Sequence, residues 1–218
     1  MPNHVQNILT IKGHKGHVDP MMKSLKDEES AFSFKKIIPM PEELEGTRSP
    51  ANIVTEGEYK KIQFDKNFQG EPNPMFSDKG AITQAMSDDW KARFGADNWY
   101  DWTCNNWGTK WGAYEVQVDE VADDNGVLTI QIVFQTAWSS GATVLDYLAR
   151  QFPTIEFRLI YADEDCGSNT GEITWKDGGI TESDLPDYSM ENYFECWGGV
   201  EDWECVDGEW KWKEDEDE

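Results

Sequence analysis

Apolar and polar residues alternate along several stretches of the chain, and this pattern predicts strands that each bury one face. The alternating stretches are residues 5–11, 114–118, 128–134 and 155–161, with a shorter candidate at residues 173–175. An apolar run over residues 32–38 predicts one further strand, which ends at Pro39 and Pro41 because proline cannot donate to a sheet. The sequence Asp123-Asp124-Asn125-Gly126 is typical of the tight turn of a β-hairpin.

Apolar residues at helical spacing predict two helices between these strands. The first begins at Asp19, with Pro20 at its first position. Its apolar stripe consists of Val18, Met21, Met22 and Leu25. The second helix is capped by Ser139 or Ser140 and ends at Pro153. Its stripe consists of Leu145, Leu148 and Phe152.

Residues 42–105 are expected to form an insertion with helices of its own. Ser77 or Asp78 is the expected cap of a helix that ends at Gly95. The apolar positions of this helix are Ile82, Met86, Trp90 and Phe94. A weaker helical pattern covers residues 56–68.

The resulting order is strand–helix–strand, a helical insertion, and then strand–strand–helix–strand. Two helices on one face of an antiparallel sheet bury the apolar faces of both layers. The sequence therefore predicts an α+β fold of the ferredoxin-like sandwich type, where the name describes topology only. We expect residues 1–181 to form this domain, with the insertion at about 42–105, and residues 182–218 to form an acidic, aromatic-rich C-terminal extension.

Three segments resemble a known family: FSFKKIIPMPEEL at residues 32–44, NNWGTKW at 105–111 and FQTAWS at 134–139. They are similar to phage and plasmid proteins that carry a YubB-like ferredoxin-like domain, over about residues 7–161. The resemblance implies the same fold and an origin in a mobile element. It implies no catalytic residue, since the family has no established activity, and it does not extend to the acidic C-terminal end.

The charge of the chain is strongly negative, since 43 acidic and 19 basic residues give a formal net charge of −24. Residues 182–218 hold fifteen of the acidic and two of the basic residues, and the last five are expected to be a solvated tail. Tryptophans stand among the other acids, whereas disordered acidic tails contain few aromatic residues. We therefore expect part of the extension to fold or to dock. The net charge disfavours direct binding to bulk DNA, which depends on Lys and Arg that neutralise phosphates.

Neither a membrane span nor a signal segment is recognisable, so we expect a protein of the host-cell cytoplasm with reduced cysteines. Cys104, Cys166, Cys196 and Cys205 lack the spacing of zinc or iron–sulfur ligands. His14 and His17 with Asp19 are too few to define a metal site, and no cysteine or serine lies in an activating motif. We expect no cofactor, no metal and no catalytic residue, although a carboxylate pair formed only in three dimensions stays open.

Two groups of residues are candidate binding sites. Trp107, Lys110 and Trp111 are a candidate ligand platform for a base or a sugar, and packing of both rings in the core is the alternative. In the extension, the candidate partner-binding residues are Trp197, Glu201, Asp202, Trp203, Glu204, Trp210 and Trp212. The glycines of residues 13–16 form a weaker candidate for an anion, for which a plain turn is the alternative.

Two hypotheses of function follow from these candidates. In the first, the chain is a non-enzymatic acidic protein that binds a basic, nucleic-acid-handling host protein. With the phage or plasmid resemblance, such a protein is expected to mimic nucleic acid and to inhibit a host defence system, as anti-CRISPR or anti-restriction proteins do. In the second, the chain is an RNA- or nucleotide-binding module that uses Trp107, Trp111 and the glycine turn. One form of this hypothesis is a nuclease-like enzyme.

Overall fold

The computed structural model describes residues 3–64, 80–186 and 188–213. The expected cap at Ser77 or Asp78 and the expected tail at 214–218 lie outside these residues. The strands are β1 His4–His14, β2 Asn52–Val54, β3 Ala81–Thr83, β4 Tyr114–Asp124, β5 Val127–Ala137, β6 Glu156–Asp163, β7 Gly171–Lys176, β8 Gly179–Asp184, β9 Trp203–Val206 and β10 Glu209–Trp212. The helices are α1 Lys15–Leu25, α2 Phe34–Ile37, α3 Glu56–Phe64, α4 Gln84–Phe94, α5 Trp99–Trp107, α6 Ala142–Gln151 and α7 Met190–Trp197. No helix in the described part of the chain is long and apolar enough to cross a membrane.

Six strands form one antiparallel sheet in the order β4-β5-β1-β6-β7-β8. Helix α1 follows β1 and helix α6 connects β5 to β6, and residues of both helices share the core on one face of the sheet. Strands β4, β5, β1 and β6 with these helices have the order and pairing of a ferredoxin-like fold. The predicted α+β class is confirmed, and β7 and β8 widen the sheet beyond β6.

The core lies between this sheet and the two helices. Leu9, Ile132 and Leu159 are aligned across β1, β5 and β6, and all three are completely buried. The alternation seen in the sequence places the following side chains in the same core: Leu128, Ile130, Phe134, Leu145, Leu148 and Phe157. The predicted hairpin is also present, because Asn125 and Gly126 both have positive φ between β4 and β5.

The apolar run at residues 32–38 is not the expected strand. Its central part, Phe34–Ile37, is a single turn of helix. Phe34 packs edge-on against Phe134 and Trp107, with ring centroids 5.9 and 6.0 Å apart. These residues lie on the side of the sheet that carries the helices. Their rings pack in the core there, and they do not pair with a strand.

Helix α1 begins earlier than predicted. The Nδ1 atom of His14 accepts a hydrogen bond from the backbone N–H of Gly16 at 3.1 Å and caps the helix. Pro20 therefore lies inside the helix rather than at its first position. Helix α6 also starts differently, since Gly141 precedes it and donates its N–H to Oδ1 of the buried Asn7 at 3.1 Å. Neither Ser139 nor Ser140 is the cap.

The insertion contains α3, α4, α5 and the short parallel pair of β2 and β3. Helix α4 ends at Gly95, which has φ of 78°, as the glycine predicts. Its cap is Thr83, which accepts a hydrogen bond from the N–H of Met86 at 3.3 Å. Ile82 belongs to β3 and not to the helix, because the chain is extended up to this cap.

Candidate partner-binding surface and aromatic cleft

Residues 188–213 are called here the C-terminal unit, and its helix α7 packs on the face of the sheet opposite α1 and α6. Successive residues of a strand point to opposite faces, so Ile160 and Ala162 point away from the core that holds Leu159. Both are nevertheless buried, and α7 is the helix that contacts β6 and β1 there. The acidic extension is thus a folded part of the structure, as its aromatic content predicts.

Three contacts hold α7 on this face. The indole N–H of Trp197 donates to the carbonyl oxygen of Ala162 at 3.1 Å. Arg158 of β6 lies 3.9 Å from Glu195, and Met190 is buried. Trp197, predicted as a partner-binding residue, therefore has an internal role, and we leave it out of the proposed partner surface.

Four rings form an aromatic cluster within the C-terminal unit: Phe194, Trp203, Trp210 and Trp212. The centroid of Phe194 lies 4.8 Å from that of Trp210 and 6.0 Å from that of Trp203. Trp212 contacts Trp203 at 5.4 Å in an edge-on arrangement and remains 61% exposed. Rings in this geometry attract one another beyond the area that they bury. The cluster orders the hairpin of β9 and β10 and still presents part of its surface to solvent.

The carboxylates predicted for partner binding surround this cluster. Glu201, Asp202 and Glu204 are exposed, and none of them forms an ion pair with any described residue. The two ends of the hairpin segment are joined at Lys213, whose backbone N–H donates to the carbonyl of Asp202 at 2.9 Å. The side chain of Lys213 bonds to the carbonyl oxygen of Glu201, which leaves the carboxylate of Glu201 free of that lysine.

Glu191 connects α7 to the hairpin. Its carboxylate accepts a hydrogen bond from the indole N–H of Trp210 at 2.9 Å. This bond is the main reason that the pKa of Glu191 lies below its usual value. The ring of Trp210 is thereby fixed in orientation on the side of the cluster that faces α7.

The candidate platform of Trp107, Lys110 and Trp111 is not formed, because Trp107 is only 3% exposed. For Trp107, the alternative of packing in the core is the one observed. The indole N–H of Trp107 donates to the carbonyl of Ile38 at 2.9 Å, and its ring packs in the core. Lys110 instead lies between Trp111 and Trp138, with Nζ 4.8 and 4.9 Å from the two ring centroids. Sequence reasoning missed Trp138, since only the β5–α6 connection brings it next to Lys110.

An open cleft of about 880 Å³, called here the aromatic cleft, lies beside this group of rings. Its walls include Phe34, Trp99, Trp107, Trp111 and Tyr114. Four acidic residues also line it: Asp27, Glu28, Glu29 and Glu45. This cleft could not be recognised from the sequence, because its walls come from α2, α5 and the segment before β4.

The backbone N–H groups of Lys15 and Gly16, in the glycine turn at residues 13–16, are already hydrogen-bonded within the chain. Strand β1 runs directly into α1 there, and the N–H groups of Lys15 and Gly16 donate to Gly126 and His14. Lys15 pairs with Asp123 at 2.8 Å. These contacts use the donors that an anion would need.

Three of the four cysteines are partly buried. Burial raises the pKa of Cys104 and Cys166, and it raises the pKa of Cys196 to about 12. The thiolate is the reactive form, so such thiols are poor nucleophiles. Within the described residues, no three His, Cys, Asp or Glu side chains are grouped to hold a metal.

A comparison with known protein families agrees with the fold. The family model for the ferredoxin-like domain in Api92-like protein matches residues 110–207. The match confirms the expected ferredoxin-like domain, and it runs through α7 to the turn between β9 and β10. No curated protein matches the sequence.

One solved structure is similar to the chain. It is the crystal structure of a protein Api92 from Yersinia pseudotuberculosis, with 13% identity and a TM-score of 0.44. The alignment covers 87% of this chain and 99% of that chain. This similarity is too distant to support a conclusion about activity, and the phage or plasmid origin stays a prediction.

Proposed function

We propose that the chain is a non-enzymatic binding protein whose C-terminal unit engages a basic surface of another protein. The observation that carries the proposal is the arrangement of free carboxylates, Glu201, Asp202 and Glu204, around the partly exposed rings of the aromatic cluster. Carboxylates and rings are presented together on a unit that is packed on the sheet.

Charge and rings have different roles in this proposal. A formal net charge of −24 attracts a surface rich in Lys and Arg over distance and speeds the encounter. Indole rings supply contact area that excludes water once the complex forms. Because Trp203 and Trp210 are already held by Phe194, little side-chain entropy is lost when they are buried.

The partner class follows from the charge pattern. A dense set of carboxylates on a folded scaffold presents the same sign of charge as the phosphates of a nucleic acid. We infer that the partner is a basic, nucleic-acid-handling protein of the host. If the resemblance to phage and plasmid proteins reflects the origin of the chain, inhibition of a host defence system by mimicry of nucleic acid is the role we propose.

The sheet itself is less suited to the alternative, an RNA-binding module. Ferredoxin-like RNA-binding sheets stack bases on aromatic side chains of their open face. The paired strands β1 and β5 present Gln6, Ile8 and Thr10 opposite Gln135, Val133 and Gln131 on that face. Gln135 donates to Gln6 at 3.0 Å, so two of these amides are bonded to each other.

The proposal is tested by capture from host lysate at low and high salt, with identification of the retained proteins. A variant that lacks residues 199–218 is the comparison, because it keeps α7 and the Trp197 contact with Ala162. Removal from residue 182 would cut β8 and uncover Ile160, so it is avoided. Retention of a basic nucleic-acid-handling protein by the full chain and its loss with the shorter variant support the proposal. Equal retention by both contradicts it.

A further inference from the structure

The aromatic cleft lies apart from the C-terminal unit and combines two kinds of surface. Phe34 and Trp107 line it, and both are almost completely buried. The half-buried rings of Trp99 and Trp111 complete its walls. A volume of about 880 Å³ is in the range of ligand-binding sites and exceeds what one side chain fills.

The charged residues that line the cleft are mainly acidic. Glu28, Glu29 and Glu45 are exposed, whereas Asp27 accepts the backbone N–H groups of Glu29 and Ser30 and shapes the turn. Among the described residues that line the cleft, Lys35 is the only basic one. Its Nζ lies 3.0 Å from Oε1 of Glu45. The cleft therefore has a negative field, which excludes phosphates and carboxylates and favours a cation.

The aromatic walls of the cleft also favour a cation. The face of an indole ring carries negative potential, and a cation held against it gains energy that a neutral group does not. The protein already contains such a contact, since Nζ of Lys110 lies 4.8 Å from the ring of Trp111. An arginine suits the cleft better than a lysine because its planar guanidinium stacks on rings while its N–H groups bond to carboxylates.

We propose that the aromatic cleft binds an arginine side chain of a basic segment in the partner protein, stacked against Trp111 and paired with Glu45. The proposal rests on the proposed function, since it gives the basic partner a second contact on a different face of the molecule.

The test titrates the full chain with an acetylated and amidated Gly-Arg-Arg-Gly peptide, followed by NMR of the tryptophan indole N–H groups. The matched peptide carries citrulline, which has the shape of arginine without its charge. We expect Trp111→Leu to weaken arginine-peptide binding by about fivefold to thirtyfold, the range of a cation–ring contact. Glu45→Gln should weaken it too, and Glu43→Gln is the control because Glu43 pairs with Arg93 and does not line the cleft.

A substitution of Lys35 should change the affinity for the peptide in the opposite direction. Lys35→Met removes the cation that pairs with Glu45, so it should tighten peptide binding by about twofold to fivefold. Equal binding of the citrulline peptide, or unchanged affinity in Glu45→Gln and Lys35→Met, would overturn the proposal. Dependence on Trp212 and Glu204 instead of Trp111 and Glu45 would also overturn it, while the proposed function of the C-terminal unit would stand.

Discussion

The indole nitrogen of Trp197 and the carbonyl oxygen of Ala162 are 3.1 Å apart, and this hydrogen bond joins the end of α7 to strand β6. The contact lies where the sheet would otherwise expose Ile160 and Ala162 to water. The C-terminal unit is therefore part of the folded structure, and its aromatic rings are ordered by contacts within the chain.

Removal of this bond should loosen the C-terminal unit without unfolding the sheet. We expect Trp197→Phe to lower the free energy of unfolding by about 1 kcal/mol, the net value of one hydrogen bond. Amide hydrogen exchange should rise first in α7 and in the hairpin of β9 and β10. Exchange that rises equally in β1 and β5 would show that the contact supports the whole domain instead.

Leu148 tests the core between the sheet and α6. It is 1% exposed, so Leu148→Asp places an unpaired carboxylate among apolar side chains and should prevent folding. Tyr147→Asp is the matched control, because Tyr147 is the neighbouring residue on the same helix and is 48% exposed. Thermal melts followed by circular dichroism distinguish the two variants. A cooperative, wild-type-like melt for Leu148→Asp would contradict the fold.

Asp97 in the insertion should give a pH-dependent contribution to stability. Burial alone would raise the pKa of Asp97, but hydrogen bonds from Lys91, Ser87 and Asn98 together hold it below its usual 3.8. Its contribution is therefore complete above about pH 3.8 and is lost as the pH falls through the lowered pKa. We expect Asp97→Asn to cost about 1–3 kcal/mol at pH 7.

The pH series supplies the check on this interpretation. The difference in unfolding free energy between wild type and Asp97→Asn should shrink below pH 3.8. Asp89→Asn is the control, since Asp89 lies on α4, the helix that carries Ser87 and Lys91, with a side chain that is 55% exposed. A difference that stays constant from pH 7 to pH 3 would show that the charge of Asp97 is not what stabilises the insertion.

Strands β1, β5 and β6 could be predicted because one face of each is buried, which produces alternation in the sequence. Leu128, Ile130 and Ile132 carry this signal clearly. Residues 32–38 could not be assigned in the same way, since a short apolar run fits a strand and a buried helical turn equally well. Strand β8 was missed because all but one of its residues are exposed, so no alternation marks it.

The sequence predicts which types of residue form the candidate site, but it does not predict how they are arranged in space. Clustered Trp and acidic residues indicated a folded acidic surface. The sequence could not separate Trp197, which bonds to Ala162, from Trp212, which is exposed, because that difference depends on distant strands. Phe194 contacts both Trp203 and Trp210, but nothing in the sequence distinguishes it from the other aromatic residues of this segment.

Purified protein should not bind bulk DNA at physiological salt, since a net charge of −24 repels the phosphate backbone. A mobility-shift titration with random-sequence duplex measures this directly. A tight shift that weakens steeply with added salt would instead favour the RNA- or nucleotide-binding alternative.

The central claim is tested most directly by association and dissociation rates against the captured basic partner. Neutralisation of Glu201, Asp202 and Glu204 to their amides should slow association by about threefold to tenfold at low salt and change dissociation little. The control neutralises Asp119, Glu120 and Asp124 of β4, which gives the same change in net charge at the far edge of the sheet.

Trp203→Ala should speed dissociation by about tenfold or more, because it removes a ring that excludes water at the interface. If the β4 control slows association as much as the C-terminal triple variant, and Trp203→Ala dissociates at the wild-type rate, the C-terminal unit is not the binding surface.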